Sequence, residues 1–278
     1  MQTFKKPTMT QASPSAPADF GPTETFTGDL SCGILFLCDH ASNAVPSAYG
    51  DLGLPAEQFQ RHIGYDIGAR PLTLALAERL NAPALMTTYS RLLIDPNRGE
   101  DDPTIVMRLS DGAVVPGNAG ITTEERQRRI ETYHRPYHRL ISDTLDQMLE
   151  LAPPPVIISM HSYTPVWRGV PRPWHAGILW DTDGRAVHPV INGLAAQEGI
   201  VVGDNEPYDG ALKNDTMYQH GTCRGLAHAL IEIRQDLIAD EAGVAEWTDR
   251  LLPILTKLPQ QKDLREIRKG SSRCDTTR

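Results

Sequence analysis

Apolar residues along this chain gather into short runs, and each run is closed by a breaker or a polar residue. Gly33–Cys38, Ala84–Tyr89, Pro155–Met160, Ala176–Trp180, Ile200–Gly203 and Ala227–Arg234 are dominated by aliphatic and β-branched side chains. Short apolar runs of this kind, bounded by turn formers, predict buried strands. Between them lie segments of helical character, from about Ile67 to Leu80, Thr122 to Leu151, Arg185 to Glu198 and Glu241 to Leu258. Thr122-Thr123-Glu124-Glu125 supplies the hydroxyls and first-turn acids of a helix start. Pro71 falls near the start of its helix, where it is tolerated, whereas Pro136 should kink or divide the long helix and Pro253 should interrupt the last one. Strands alternating with helices predict an α/β fold, with a mainly parallel (mixed) sheet covered by helices on both faces. Asp101 to Gly120 has little periodicity and predicts a long loop, a common site for lids and binding loops.

Length and composition narrow the class. The chain has 278 residues, enough for one large α/β domain, which we place at 29–260. The first 28 residues are rich in Pro, Ser, Thr and Ala and are expected to form a disordered arm. They contain no continuous apolar segment of the kind a secretory signal carries. Residues 261–278 form a charged tail expected to pack poorly or hang free. The net charge is -8, without a long basic run, which argues against nucleic acid or an anionic membrane as the partner. No apolar stretch approaches the roughly 20 residues of a membrane span. The four cysteines, at 32, 38, 223 and 274, show no CxxC spacing and read as reduced thiols of a cytoplasmic protein.

The chemistry concentrates where strands end. Gly33–Cys38 runs into Asp39-His40-Ala41-Ser42-Asn43, and Pro155–Met160 runs into His161-Ser162-Tyr163. Ligands of open α/β sheets bind outside the carboxyl ends of the strands. Two strand-end imidazoles, His40 and His161, can therefore share one zinc ion, which takes neutral imidazoles and a carboxylate and keeps a position open for water. Asp66 is the first choice for the third ligand, although it is also placed to cap the following helix. Asp39 should point to the opposite face of its strand, and Asn43 is a poor zinc ligand. Glu232 lies between Ile231 and Ile233 and faces away from them, placed either to move protons at a metal site or to pair with Arg234. Arg91, Asn97 and Arg98 form an anion clamp in which Asp95 would orient one arginine; the same Asp-Pro-Asn-Arg-Gly segment is also good turn chemistry. His134 and His138 share a helical face, but Pro136 between them makes a metal role improbable and a supporting role better.

Four segments together resemble the N-formylglutamate amidohydrolase family, which belongs with the zinc carboxypeptidases and aspartoacylase-like enzymes. Asp39-His40-Ala41-Ser42-Asn43 resembles the first zinc-histidine segment, and Ser159-Met160-His161-Ser162-Tyr163 the second. Ser90-Arg91-Leu92-Leu93-Ile94-Asp95-Pro96-Asn97-Arg98 is close to the family signature, and Ile231-Glu232-Ile233-Arg234 resembles the strand bearing the catalytic glutamate. The likeness spans about residues 33 to 238. It departs at Asn43, where zinc carboxypeptidases usually carry a glutamate ligand. The resemblance implies a phosphorylase/hydrolase-like fold and one zinc ion, with other divalent metals conceivable, on His40, Asp66 and His161. It implies Glu232 as proton shuttle and Arg91, Asn97 and Arg98 as carboxylate binders. It also implies that Asn205-Glu206-Pro207-Tyr208 and His220 lie near the pocket, with Tyr208 a candidate donor to substrate. The expected substrate is a small N-acyl acidic amino acid such as N-formylglutamate. A carboxypeptidase, an N-acetyl-amino-acid deacylase and a catalytically inactive carboxylate-binding protein are the alternatives.

Overall fold

The computed structural model describes residues 20–275. Seven strands form the main sheet: β1 (Thr23–Phe26), β2 (Ile34–Cys38), β3 (Ala84–Thr87), β4 (Val156–Tyr163), β5 (Ala176–Leu179), β6 (Val202–Asp204) and β7 (His228–Arg234), in the spatial order β1-β3-β2-β4-β7-β5-β6. The β3-β2-β4-β7 block is parallel; β1 runs antiparallel to β3 and β5 antiparallel to β7, so the sheet is mixed, as expected. β2 and β4 are buried along their whole length, which is why Ile34–Cys38 and Val156–Ile158 are continuous apolar runs and not alternating ones.

Helices cover both faces. On one, α1 (Ala69–Leu80), α3 (Val187–Ala195) and α4 (Glu241–Leu255) set Leu72, Leu76, Val190, Trp247 and Leu251 against Phe36, Ile158 and Ile231. On the other, α2 (Arg135–Leu151) sets Tyr137, Ile141, Leu145 and Met148 against Leu35, Leu37, Ile157 and Leu230. Alternation along β4 and β7 then puts Ser159, His161 and Glu232 on the α2 side. α1 does not use Asp66 as its cap. Its N-cap is Gly68, at φ 80, and a Cβ there would meet the carbonyl oxygen of Ile238 at 2.2 Å. That left-handed turn starts the helix and frees the Asp66 carboxylate for other work.

Three expectations need correction. The arm does not extend to residue 28, because Thr23–Phe26 pairs with Ala84–Thr87 at the sheet edge; residues 1–19 lie outside the described residues. The tail is not free through 275: Leu264 is buried, Arg265 donates to the carbonyls of Pro153 and Pro154, and Arg273 pairs with Asp209. Its charges hide donors that close exposed carbonyls of the main body. The Asp101–Gly120 stretch holds a short hairpin, Leu109–Ser110 with Ala113–Val114, and a helical turn, Pro116–Ala119, anchored by buried Asn118. The long helix is divided beside Pro136, as expected: a π-turn, Ile130–His134, separates Thr123–Arg129 from α2, and Pro136 stands in the first turn of α2, where its missing N–H is harmless.

Among the described residues no helix is long and apolar enough to cross a membrane. Trp247 fills the space between α4 and the sheet and is 2% exposed, whereas Leu151 at the end of α2 is 63% exposed. Trp247→Ala is expected to cost about 3–5 kcal/mol and Leu151→Ala less than about 0.5 kcal/mol, read from urea denaturation midpoints at constant slope. Similar losses for the two variants would place the core elsewhere.

Candidate active site

The parallel strands β2 and β4 deliver two imidazoles to one rim of the sheet. His40 follows β2 directly after Asp39, and His161 lies within β4, level with Glu232 on β7. Their rings stand edge to face, with centroids 5.0 Å apart. Both Nδ1 atoms point at Asp66 Oδ2, from 3.3 Å for His40 and 2.8 Å for His161. The far nitrogens are anchored by other carboxylates. His40 Nε2 donates to Asp95 Oδ1 at 2.8 Å, and His161 Nε2 donates to Asp39 Oδ2 at 3.0 Å. A carboxylate can only accept, so each Nε2 carries a hydrogen and each Nδ1 is the nitrogen left to face an incoming cation. Carboxylate-anchored imidazoles are the usual means of aiming a histidine at a metal.

One donor atom from each of His40, Asp66 and His161 lies within 4.8 Å of the other two, and all three residues are buried. The donor set fits one divalent ion with an open position. The local field fits it as well. Burial opposes charge on His161, but the Asp39 and Asp66 carboxylates outweigh it and hold the imidazole well above the ordinary histidine range. Burial likewise opposes charge on Asp66, and His40 and His161 outweigh it, holding the carboxylate far below its usual range. Positive charge is thus favoured where the three side chains meet.

The alternatives for the third position separate cleanly. Asn43 turns away and donates to the Phe59 carbonyl at 3.0 Å. Asp39 lies on the same side as His161 but behind it, where it also accepts from Thr216 Oγ1 at 3.0 Å. Glu232 lines the cavity beside the cluster, and its Oε2 meets no donor among the described residues. The alternative Glu232–Arg234 pair does not form; Arg234 pairs with Asp236 at 2.8 Å. Burial pushes the Glu232 carboxyl up to about 7.

The cavity in front of these groups has a volume of about 420 Å³, and Arg91, Asn97 and Arg98 all line it. Asp95 orients Arg91 at 2.7 Å, as well as holding His40. Arg91 Nη1 in turn lies 3.2 Å from His40 Nδ1, so the clamp abuts the imidazole cluster. Asn97 Oδ1 accepts from the Thr216 backbone N–H at 3.1 Å. Since that N–H can only donate, the oxygen of the amide is fixed and its NH2 is left as the group to offer a ligand. Tyr208 also lines the cavity but is 44% exposed, with the Arg172 guanidinium 5.0 Å from its ring centre. Sequence reasoning missed Thr216 and Asp215, which carry no motif. Asp215 reaches the cavity wall, and burial raises its carboxyl to about 7. It also missed the part played by Asp39 and Asp95 in holding imidazoles, although both lie in segments already marked.

No protein with a curated description matches the chain. Among solved structures, a gene product of Agrobacterium tumefaciens is 29% identical and superposes with a TM-score of 0.80, over 86% of this chain and 94% of its own. The N-formylglutamate amidohydrolase of Ralstonia eutropha JMP134 shares the fold, with a TM-score of 0.67, 21% identity and coverage of 87% of this chain and 98% of its own. The N-formylglutamate amidohydrolase family matches residues 32–239, which contain every strand-end group described above. On that match, which takes in most of the chain, the protein belongs to the N-formylglutamate amidohydrolase family.

Proposed function

We propose that this protein is a zinc-dependent amidohydrolase that releases formate from N-formylglutamate or a closely similar N-formyl acidic amino acid. The observation that carries the reading is the meeting of His40, Asp66 and His161 beside an unpartnered buried carboxylate, Glu232, next to a pocket wall of two arginines and an asparagine. Family membership favours a formyl group over an acetyl group or a peptide on the same scaffold. A binding protein without catalysis would need the clamp but not the aimed imidazoles. The four cysteines are all free, which supports assignment to the cytoplasm.

His40, Asp66 and His161 would hold the ion, which, when bound, would polarise the amide carbonyl and make water acidic near neutral pH. The remaining work falls to this chain's own side chains. Asn97 and Arg98, with Arg91 behind them, bind the substrate carboxylates and so fix the formamide in the pocket. Tyr208 closes the rim and offers a hydroxyl. Glu232 takes a proton from the attacking water as the new C–O bond forms. It returns that proton to nitrogen as the C–N bond breaks, so that formate and a free amine leave. A carboxyl pushed up to about 7 by burial is matched to accepting and returning a proton near neutral pH.

The direct test is formate and acetate release from a panel of N-formyl and N-acetyl amino acids, with and without added zinc. N-formylglutamate should be the best substrate, a chelator should abolish turnover and zinc should restore it. Acetate release without formate release would reassign the protein as a deacylase. Glu232→Gln should keep its zinc and lose about 100- to 10,000-fold in kcat; near-normal turnover would remove Glu232 from proton transfer. His161→Ala should lose zinc by metal analysis, and full occupancy would defeat the ligand set. Arg98→Ala should raise KM for N-formylglutamate by about 10- to 100-fold, the equivalent of about 1.5–3 kcal/mol of charge-assisted hydrogen bonding. An unchanged KM would move the carboxylate site elsewhere.

A further inference from the structure

Three buried histidines that the mechanism does not use stand behind the substrate clamp. His134 ends the π-turn, His138 lies in the first turn of α2, and His220 lies in a second π-turn, Tyr218–Thr222. Their exposures are 2%, 8% and 6%. The rings form a pile, with centroids 4.2 Å apart for His134 and His138 and 5.2 Å apart for His138 and His220. None of them reaches the His40–Asp66–His161 cluster, and among the described residues they form no metal-binding group of their own.

Their hydrogen bonds all lead to one short segment. His134 Nε2 donates to the Arg98 carbonyl at 2.8 Å, and His138 Nε2 donates to the Pro96 carbonyl at 2.9 Å. Carbonyls only accept, so both nitrogens must carry hydrogen. His138 Nδ1 is then an acceptor, and it faces His220 Nε2 at 2.9 Å, which must supply the hydrogen. The tautomer of His138 thus fixes that of His220, while His134 is set separately by the Arg98 carbonyl. Burial lowers all three imidazoles below the ordinary histidine range, with His220 at about 4, so the neutral chain is the stable one near neutral pH. The segment so held is Pro96-Asn97-Arg98, whose side chains line the cavity. Thr216, two residues before the turn that carries His220, contributes the N–H that fixes the Asn97 amide.

We propose that His134, His138 and His220 are positioning residues, a neutral imidazole brace that holds the Pro96–Arg98 backbone so that Asn97 and Arg98 meet the carboxylate of an acidic substrate. The proposal rests on the reading of those two residues as carboxylate binders. Proline at 96 and the backbone N–H of Asn97 donating to Asp95 stiffen one side of the segment. The histidines supply the donors on the other. Loss of one leaves a buried carbonyl without a partner and frees the segment to shift, and a shift of a fraction of an ångström is enough to spoil a two-point carboxylate contact.

The experiment compares His138→Phe, which keeps a flat ring and removes the donor, with His138→Gln, which restores an amide donor. Full-length protein is used, with zinc content and melting temperature measured alongside. His138→Phe should raise KM for N-formylglutamate, and the dissociation constant of glutarate, by about tenfold, with kcat within about threefold and zinc unchanged; His138→Gln should recover most of both. Equal effects of the two variants, or a loss confined to kcat, would overturn the brace. If the wild type hydrolyses no N-formyl amino acid yet binds glutarate, the proposed activity falls and the brace is judged on glutarate affinity alone. A wild type that binds neither overturns both. Should His138→Phe fail to fold, long-range 1H–15N correlation on histidine-labelled wild type decides. All three imidazoles should be neutral with hydrogen on Nε2 at pH 7, and a cationic or Nδ1–H form of His134 or His138 would overturn the assignment.

Discussion

Three carboxylates with almost no access to solvent, Asp39, Asp66 and Asp95, set the terms for everything else at the rim of this sheet. A buried carboxylate is costly unless it is paired and hydrogen-bonded. Here the partners are His40, His161 and Arg91, each touched by two of the three acids. The parallel pairing of β2 and β4, the left-handed turn at Gly68 and the turn after Ser90 bring these groups together. Removal of His161 would leave Asp39 without an ionisable partner in a closed space, whereas Asp66 and Asp95 each keep a second one when any single partner is lost. The cluster is therefore expensive to assemble for stability alone, and its geometry is explained better by what it can hold.

The same acids join two sites that look separate in the sequence. Asp95 holds both His40, of the imidazole cluster, and Arg91, of the clamp. Asp39 holds His161 and also Thr216, whose N–H fixes Asn97. The imidazole cluster and the Arg91–Arg98 segment are thus one hydrogen-bonded body. Energies within such a network do not add, so substitutions at its two ends are expected to couple.

Much of this was legible before any coordinates. Apolar runs that stop on His40 and His161 announce both the buried strands and the polar groups at their carboxyl ends, and the sheet class follows from the alternation with helices. Asp66 was legible only as one of several choices, because a carboxylate two residues before a glycine-led helix reads equally well as a cap. What separates the readings is the φ of Gly68, a backbone property that the side-chain pattern does not encode. The edge strand Thr23–Phe26 was hidden because its neighbours are polar and proline-rich, and it is made by pairing with β3, not by its own apolar content. The pairing of Arg234 with Asp236 in place of Glu232 was hidden for a related reason. Alternation says which residues share a face, but it does not say where the strand ends, and the turn at Gln235–Leu237 brings Asp236 back to the arginine.

That misplaced pair has a physical consequence. Had Arg234 engaged Glu232, the carboxylate would be ionised and tied, of little use as a proton carrier. Left without a donor on Oε2, its acidity is set chiefly by burial, which lifts it, while the neighbouring Asp66 is pressed the opposite way by two imidazoles. Two carboxyls in one pocket are thereby driven apart, Asp66 downward by the imidazoles and Glu232 upward by burial. Division of labour between like groups by environment is how a single site supplies both a ligand and a base. In this protein Arg234 pairs with Asp236, and Glu232 Oε2 keeps no donor among the described residues.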